Sequence, residues 1–259
     1  MRSILVNADR KPGSDARVET ALDLARRFNG HVSVLVDTPV TRYIAMDPMG
    51  GSYVISGALE EARKDDDEAA AAIETRMTRN DVPFDILRSE DDPLSALANA
   101  ARLADLVVVS RSGGLAGELA LASSTPVLAL SDQTLALPIR RACIAWDGGE
   151  QAASALRASV PLLESCQMVK VISVIEKPGG FPATDALRYL SRHGIHAEFE
   201  EHERRGSTEE TLAIAVTQAH AELLVMGAYG KSRVREFLFG GVTAYFLEET
   251  NMPSLLLAH

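Results

Sequence analysis

The sequence predicts an α/β fold of two tandem five-stranded parallel sheets with helices on both faces. Three observations support this prediction. Short apolar segments alternate along the chain with amphipathic helical segments. The connecting turns are short, as they are in βαβ units. The same order of segments occurs twice, so the chain contains an internal repeat.

The first half opens with an apolar strand at residues 3–8, which Asp9 follows. A helix is predicted over 14–28, because Val18, Leu22 and Ala25 fall on one face. The later elements are a strand at 32–36, a helix at 57–79, a strand at 84–87, a helix at 93–103 and strands at 106–109 and 127–130. The stretch 38–56 is rich in proline and glycine, and we interpret it as a mobile loop.

The second half repeats this order and starts with a strand at 142–146, which Asp147 follows. The later elements are a helix at 150–163, a strand at 169–175, a helix at 184–193, a strand at 197–201, a helix at 207–219, a strand at 223–226, a helix from 240 to 249 and a strand at 254–257. Ser207 and Glu210 have the spacing of a capping box. Residues 131–141 are interpreted as the linker, which separates domains at 1–131 and 139–259.

The composition favours a soluble globular protein. The formal net charge of -10 argues against nonspecific binding to nucleic acid or to an anionic membrane surface. The sequence shows no signal peptide and no apolar run of the ~20 residues needed to span a bilayer, so a cytoplasmic location is expected. Cys143 and Cys166 have neither metal-site nor disulfide spacing, and we expect both to be reduced core residues.

The stretch 223–243 has the chemistry of a phosphate site. An apolar strand is followed by Gly227 and Gly230, then by a basic segment, and Gly240 opens a helix. Glycines let the backbone approach a ligand, and free N–H groups at a helix N-terminus favour anions. The basic side chains either contact phosphate or are simply solvated: Lys231, Arg233 and Arg235.

The two halves differ in this loop. The first half has fewer residues between its fourth and fifth strands, and its remnant, 110–117, keeps glycines without their spacing. The strands and helices therefore do not need the loop to fold. This contrast predicts a ligand role for the second half alone and leaves Asp9 a weak candidate for ligand contact.

These features resemble the universal stress protein family in its tandem two-domain form. The family motif is glycine, two residues, glycine, nine residues, glycine, then serine or threonine, and Gly227, Gly230 and Gly240 match its glycines. The order of elements extends the resemblance over essentially the whole chain. It implies an adenine-nucleotide-binding, Rossmann-like fold. It also implies that the final strands, 127–130 and 254–257, pair within one chain, with a homodimer as a further option.

The resemblance implies that the second half binds ATP or a related adenine nucleotide, with or without Mg²⁺. The carboxylate of Asp147 would contact adenine or ribose, and the backbone near Val174 would contact adenine. The phosphates would lie on a set of loop and helix residues: Gly227, Gly230, Gly240, Gly241, Val242 and Thr243. Gly241 stands where the commonest motif has a hydroxyl, and the lost hydrogen bond is worth about 1.5–3 kcal/mol.

Simpler structural interpretations stand beside these. Asp147 is either a ligand contact or the N-cap of the next helix. Trp146 either stacks on adenine or packs in the core. The histidines at 193, 196 and 202 lack the companions of a metal site. The sequence contains neither a G-x-S-x-G elbow nor a Walker A sequence. The function expected is nucleotide binding in a stress-related or regulatory protein, with a slow ATPase or a nucleotide-free scaffold as alternatives.

Overall fold

The computed structural model describes residues 1–46, 52–175, 181–230 and 241–259. Its strands are β1 (Ser3–Asn7), β2 (His31–Asp37), β3 (Ile44–Met46), β4 (Ser52–Val54), β5 (Phe84–Ser89), β6 (Leu106–Ser110), β7 (Val127–Leu130), β8 (Arg141–Ala145), β9 (Met168–Ile175), β10 (Glu198–Glu203), β11 (Leu223–Gly227) and β12 (Ser254–Ala258). Its helices are α1 (Ser14–Phe28), α2 (Ser56–Met77), α3 (Pro93–Ala100), α4 (Leu115–Ala122), α5 (Glu150–Leu163), α6 (Ala183–Arg192), α7 (Thr208–Gln218) and α8 (Gly241–Glu248).

Both halves contribute to one sheet with the strand order β10-β9-β8-β11-β12-β7-β6-β1-β2-β5. Within each half the five strands are parallel and follow the same order, which confirms the predicted α/β fold. The halves meet where β12 pairs with β7 in the antiparallel direction, with Leu256 opposite Leu128. The two predicted sheets are therefore continuous through the pair of final strands.

Apolar residues on both faces of the strands explain why helices cover the sheet on both sides. In β6, Val108 packs into the core beneath α1, α2, α5 and α6. Its neighbours Val107 and Val109 pack into the core beneath α3, α4, α7 and α8. Side chains alternate between the faces of a strand, so a run of consecutive buried valines requires both layers.

Capping residues fix where two of the helices begin. The Ser207 hydroxyl accepts from the Glu210 N–H, and the Glu210 carboxylate accepts from the Ser207 N–H, which confirms the predicted capping box of α7. Asp92 caps α3 by accepting from the Ser95 N–H, with Pro93 as the first residue of the helix. Hydrogen bonds from Ser95 lower the pKa of Asp92.

The structure corrects two sequence predictions. The stretch 38–56 was interpreted as a loop, yet it contains a 3₁₀ turn, Val40–Tyr43, and the antiparallel hairpin of β3 and β4. Strands of three residues are too short to show a period. Residues 110–117 were interpreted as a remnant loop, but α4 begins at Leu115. Gly117 inside that helix weakens the local helical signal.

The burial of the cysteines agrees with the predicted core position for Cys143 and only in part for Cys166. Both cysteines are free; Cys143 is buried and Cys166 is half-buried. Burial raises the pKa of the Cys143 thiol to about 12 and that of Cys166 to about 11, so both are protonated at neutral pH. No helix in the described part of the chain is long and apolar enough to cross a membrane.

Candidate functional site

The candidate site lies beyond the carboxyl ends of β8, β9 and β11. In the sheet, β8 lies between β9 and β11, so the strand order reverses at β8. Asp147 follows β8, Val174 is near the end of β9, and Gly227 ends β11. Parallel α/β sheets bind ligands at such a point, and the structure brings these three predicted site residues to one edge.

Asp147 is exposed and lies beside Gly230. Its Oδ1 accepts a hydrogen bond of 2.8 Å from the Gly149 N–H. Gly149, not Asp147, is the N-cap of α5, and it has no side-chain cap bond. A methyl group on Gly230 would lie 3.5 Å from Asp147 Oδ2. The carboxylate therefore keeps one oxygen turned towards the glycine loop, and it does not act as the helix cap.

Gly227 is required by the close approach of α5 to β11. A Cβ at this position would lie 2.6 Å from both Ala152 N and the Gln151 carbonyl carbon. Helix backbone cannot yield as a flexible side chain can, so only glycine fits. The neighbouring Gln151 Oε1 is buried and has no hydrogen-bond partner among the described residues. Gln151 is a polar group at this site that the sequence pattern did not single out.

The start of α8 holds the other predicted phosphate contacts. The Thr243 side chain is buried, and its hydroxyl accepts from the Tyr229 N–H at 3.4 Å. Val242 is half-buried against the apolar core. A Cβ on Gly241 would lie 3.7 Å from Glu209 Oε1. A carboxylate therefore stands close to the N-terminus of α8, where a phosphate would also be drawn.

Part of the predicted loop lies outside the described residues. Gly240 and the basic side chains of Lys231, Arg233 and Arg235 are in this part, so the predictions made for them stand untested. Val174 is described and half-buried, and it pairs with His202 of β10.

Trp146 belongs to the core rather than to an open surface. It is 6% exposed. Its indole Nε1–H donates to the Phe181 carbonyl at 3.0 Å, and the Phe181 N–H donates to the Gly148 carbonyl at 3.1 Å. These bonds favour the core-packing interpretation of this side chain. Among the described residues, no group of three or more His, Cys, Asp or Glu side chains could hold a metal ion.

Comparison with known protein families agrees with this architecture. A model described as the universal stress protein family matches the sequence twice, over residues 1–131 and over residues 138–257. The chain belongs to the universal stress protein family. Because both halves match, it is a tandem member in which the family fold is built twice.

Solved structures support the same fold for this tandem universal stress protein. It is similar to a universal stress protein from Archaeoglobus fulgidus DSM 4304, with a TM-score of 0.76, 15% identity, and coverage of 99% of this chain and 97% of the other. It also resembles a putative universal stress protein from Pseudomonas aeruginosa UCBPP-PA14, with a TM-score of 0.57, 15% identity, and coverage of 100% and 93%. A comparison with curated proteins gave no match.

The N-terminal half of this family member uses the corresponding aspartate differently. Asp9 forms an ion pair with Arg17, whose side chain is fully buried. The Arg17 Nε–H also donates to the Asn7 carbonyl at 3.2 Å, and its Nη1 donates to the Pro12 carbonyl at 3.3 Å. Asp147, in contrast, forms no ion pair within the part of the chain that the structure describes.

The two halves also contact each other close to the site. Tyr229 adopts a positive φ of 53°, and its hydroxyl lies against Gly117 of α4, where a Cβ would be 2.4 Å away. Arg111, which is buried, donates from Nη1 to the Met252 carbonyl at 2.8 Å and from Nη2 to the Thr250 carbonyl at 3.0 Å. A cavity of about 690 Å³ lies beside these contacts. The N-terminal half therefore contacts Tyr229, next to Gly230, and the segment that precedes β12.

Proposed function

We propose that the C-terminal half binds ATP or a related adenine nucleotide and that the protein acts in stress response or regulation in the cytoplasm. One observation carries this proposal. Asp147 is exposed, has no ion pair among the described residues, and lies next to Gly230 at the reversal of the strand order. Asp147 Oδ2 has no hydrogen bond from the described residues, and it suits donors such as a ribose hydroxyl or an adenine amino group.

The phosphate end of the proposed ligand would lie towards the glycine loop and α8. Helix N-termini present free N–H groups that bind phosphate oxygens. The Thr243 side chain is buried and its hydroxyl accepts from the Tyr229 N–H, so we assign the phosphate contacts to backbone groups, which do not depend on access to this side chain. Mg²⁺ would reach this site with the nucleotide rather than through a preformed set of protein ligands.

Calorimetry with ATP, ADP and AMP, with and without Mg²⁺, tests the proposal. We expect Gly230→Val to abolish binding, because a branched side chain would fill the space beside Asp147. Asp91→Asn, which changes an exposed carboxylate of the other half, is the matched control and should bind normally. Absence of binding at millimolar nucleotide, or unchanged binding by the Gly230→Val protein, would contradict the proposal. Phosphate release measured on the same samples separates a binding protein from a slow ATPase.

Glu209 provides a test of where the phosphates lie. Its carboxylate stands near Gly241 at the N-terminus of α8, so it should repel a bound phosphate. We expect Glu209→Gln to tighten ATP binding about fivefold, for roughly 1 kcal/mol of relieved repulsion. AMP, with fewer negative charges, should gain less. An equal gain for ATP and AMP would place the phosphates away from α8.

A scaffold without a nucleotide is the second candidate function. Two features favour it: burial of the Thr243 side chain limits the access of its hydroxyl to phosphate, and the nearby Glu209 carboxylate repels phosphate. Freshly purified protein, denatured and filtered, distinguishes the two functions. Adenine absorbance in the filtrate supports the nucleotide protein, and its absence together with negative calorimetry supports the scaffold.

A further inference from the structure

A second cavity, of about 380 Å³, lies in the N-terminal half at the carboxyl ends of β1 and β2. Its position in that half corresponds to the nucleotide site proposed in the other. Asn7 ends β1, Asp37 ends β2, and both side chains line the cavity. Asp92 and Glu118, from the start of α3 and from α4, close its other side.

Within the part of the chain that the structure describes, two oxygen atoms at this cavity have no hydrogen-bond partner. Asn7 is only 2% exposed, and its Oδ1 is buried and unpaired. Asp37 Oδ1 is likewise buried and unpaired. In the sheet Asn7 pairs with Leu35, so Asp37, two residues further along β2, lies on the same face. Buried polar atoms of native proteins are usually paired, and two unpaired acceptors on one wall indicate a missing donor.

The charges around the cavity favour a cation. Two of its carboxylates already have cationic partners, since Asp9 pairs with Arg17 and Asp66 pairs with Arg10. Three lining carboxylates form no ion pair among the described residues: Asp37, Asp92 and Glu118. Arg42 is the lining cation without such a pair in the same part of the chain. An anionic ligand would meet repulsion here.

The register of the strands shows how this cavity departs from the other half. Asn7 pairs with Leu35, and Ala145, the last residue of β8, pairs with Ile172. The counterpart of Asn7 is therefore Ala145, and the counterpart of Asp37 is Val174. The C-terminal half therefore has an apolar wall where the N-terminal half has two hydrogen-bond acceptors. An adenine ring fits the apolar wall of the C-terminal half better than the polar wall of the N-terminal half.

We propose that the N-terminal cavity binds a small primary ammonium compound, whose N–H groups donate to Asn7 Oδ1 and to the Asp37 carboxylate. A primary ammonium group has three donors and a positive charge, which matches two acceptors in a negative cavity. This site is separate from the proposed nucleotide site and does not depend on it.

Three probes of similar size separate charge from hydrogen bonding. Calorimetry would use 1,3-diaminopropane, 1,3-propanediol and tetramethylammonium in an amine-free buffer at pH 7. We expect the diamine to bind. The diol has donors without charge, and tetramethylammonium has charge without donors, so both should bind at least about tenfold more weakly. Equal binding of diamine and tetramethylammonium, or absence of diamine binding, would overturn the proposal.

Variants locate the site within the cavity. Asn7→Ala and Asp37→Val introduce the residues that the other half carries at the same positions, and Asp37→Asn keeps the shape while removing the charge. Each should weaken diamine binding about tenfold or more. Asp91→Asn, outside the cavity, should not. A cooperative thermal unfolding transition in each variant shows that it is folded.

Competition with ATP keeps this proposal distinct from the nucleotide proposal. Saturating ATP and the Gly230→Val substitution should both leave diamine binding unchanged. Displacement of the diamine by ATP, or equal weakening by Asp37→Asn and Asp91→Asn, would show that the diamine binds elsewhere, and the proposal would be wrong.

Discussion

The ends of β1 and β8 place an aspartate at the same point of the repeat, but the two carboxylates have different surroundings. Asp9 faces the fully buried guanidinium of Arg17. Asp147 is exposed and lies beside Gly230. One residue type at one position therefore stabilises the fold in the first half and is left available in the second. Equivalent position in a repeat does not imply equivalent chemistry.

The largest expected effect comes from removing the two carboxylates in turn. Asp9→Ala leaves the buried Arg17 cation without its partner, and we expect the free energy of unfolding to fall by about 3–5 kcal/mol. Asp147→Ala should change it by less than about 0.5 kcal/mol but weaken nucleotide binding. Urea denaturation and calorimetry measure the two quantities. Similar losses of stability in both variants would remove the contrast between the halves.

Arg111 tests whether the first half supports the second. Arg111→Ala leaves the carbonyls of Thr250, Met252 and Pro253 without this donor, and we expect a loss of about 2–3 kcal/mol. Burial lowers the pKa of Arg111, a desolvation cost that limits the loss. Arg102→Ala, at an exposed arginine bonded only to Asn99 in the described structure, is the control for urea denaturation. Equal, small losses would mean that the bonds to the carbonyls add no net stability.

Gly227 and Ser110 are counterparts at the ends of β11 and β6, and they should respond differently to alanine. Gly227→Ala places a methyl group 2.6 Å from the backbone of α5, so we expect a loss of about 1–3 kcal/mol. Ser110→Ala removes a hydroxyl bonded to Ser112 and should cost about 1 kcal/mol or less. Thermal denaturation of both variants gives the comparison. A tolerated Gly227→Ala would show that α5 can shift away from the strand.

Asp37 should give a smaller effect that depends on pH. Burial raises its pKa, and the nearby Arg42 and Lys11 offset only part of this. The folded state therefore holds this proton more tightly than the unfolded state, and stability falls as pH rises through the window between the two pKa values. Asp37→Asn should raise the free energy of unfolding at pH 7. The gain should vanish below about pH 4, the ordinary pKa of aspartate. Val174→Ala, at the counterpart position, should show no such pH dependence.

Strand and helix periodicity was enough to predict most of the fold. The boundaries of α1 and α5 agree with their apolar periods, and the capping box correctly marked the start of α7. The hairpin of β3 and β4 was missed because each strand has only three residues. Helix α4 was missed because Gly117 lies in its interior, and the reason for that glycine is a distant contact with Tyr229.

The candidate site was less accessible from sequence, because its geometry depends on long-range packing. Glycine spacing pointed to Gly227 and Gly230, but it could not distinguish their roles. The first lets α5 approach the sheet, and the second borders Asp147. The Glu209 carboxylate reaches Gly241 from α7, so no local sequence motif predicts that it lies at the start of α8. Likewise, only strand register reveals that Asp37 is the counterpart of Val174.

The antiparallel pairing of β7 with β12 has a consequence for symmetry. In a homodimer with two-fold symmetry, every contact across the interface occurs twice. A residue that stabilises the interface from one subunit is therefore present at the same position of the other subunit as well. Here the two domains belong to one chain, so the residues on the two sides of the interface can differ. Arg111 has the counterpart Ala228, and Tyr229 has the counterpart Ser112. Because the domains are covalently linked, the interface does not have to be self-complementary, and each domain can carry different residues there.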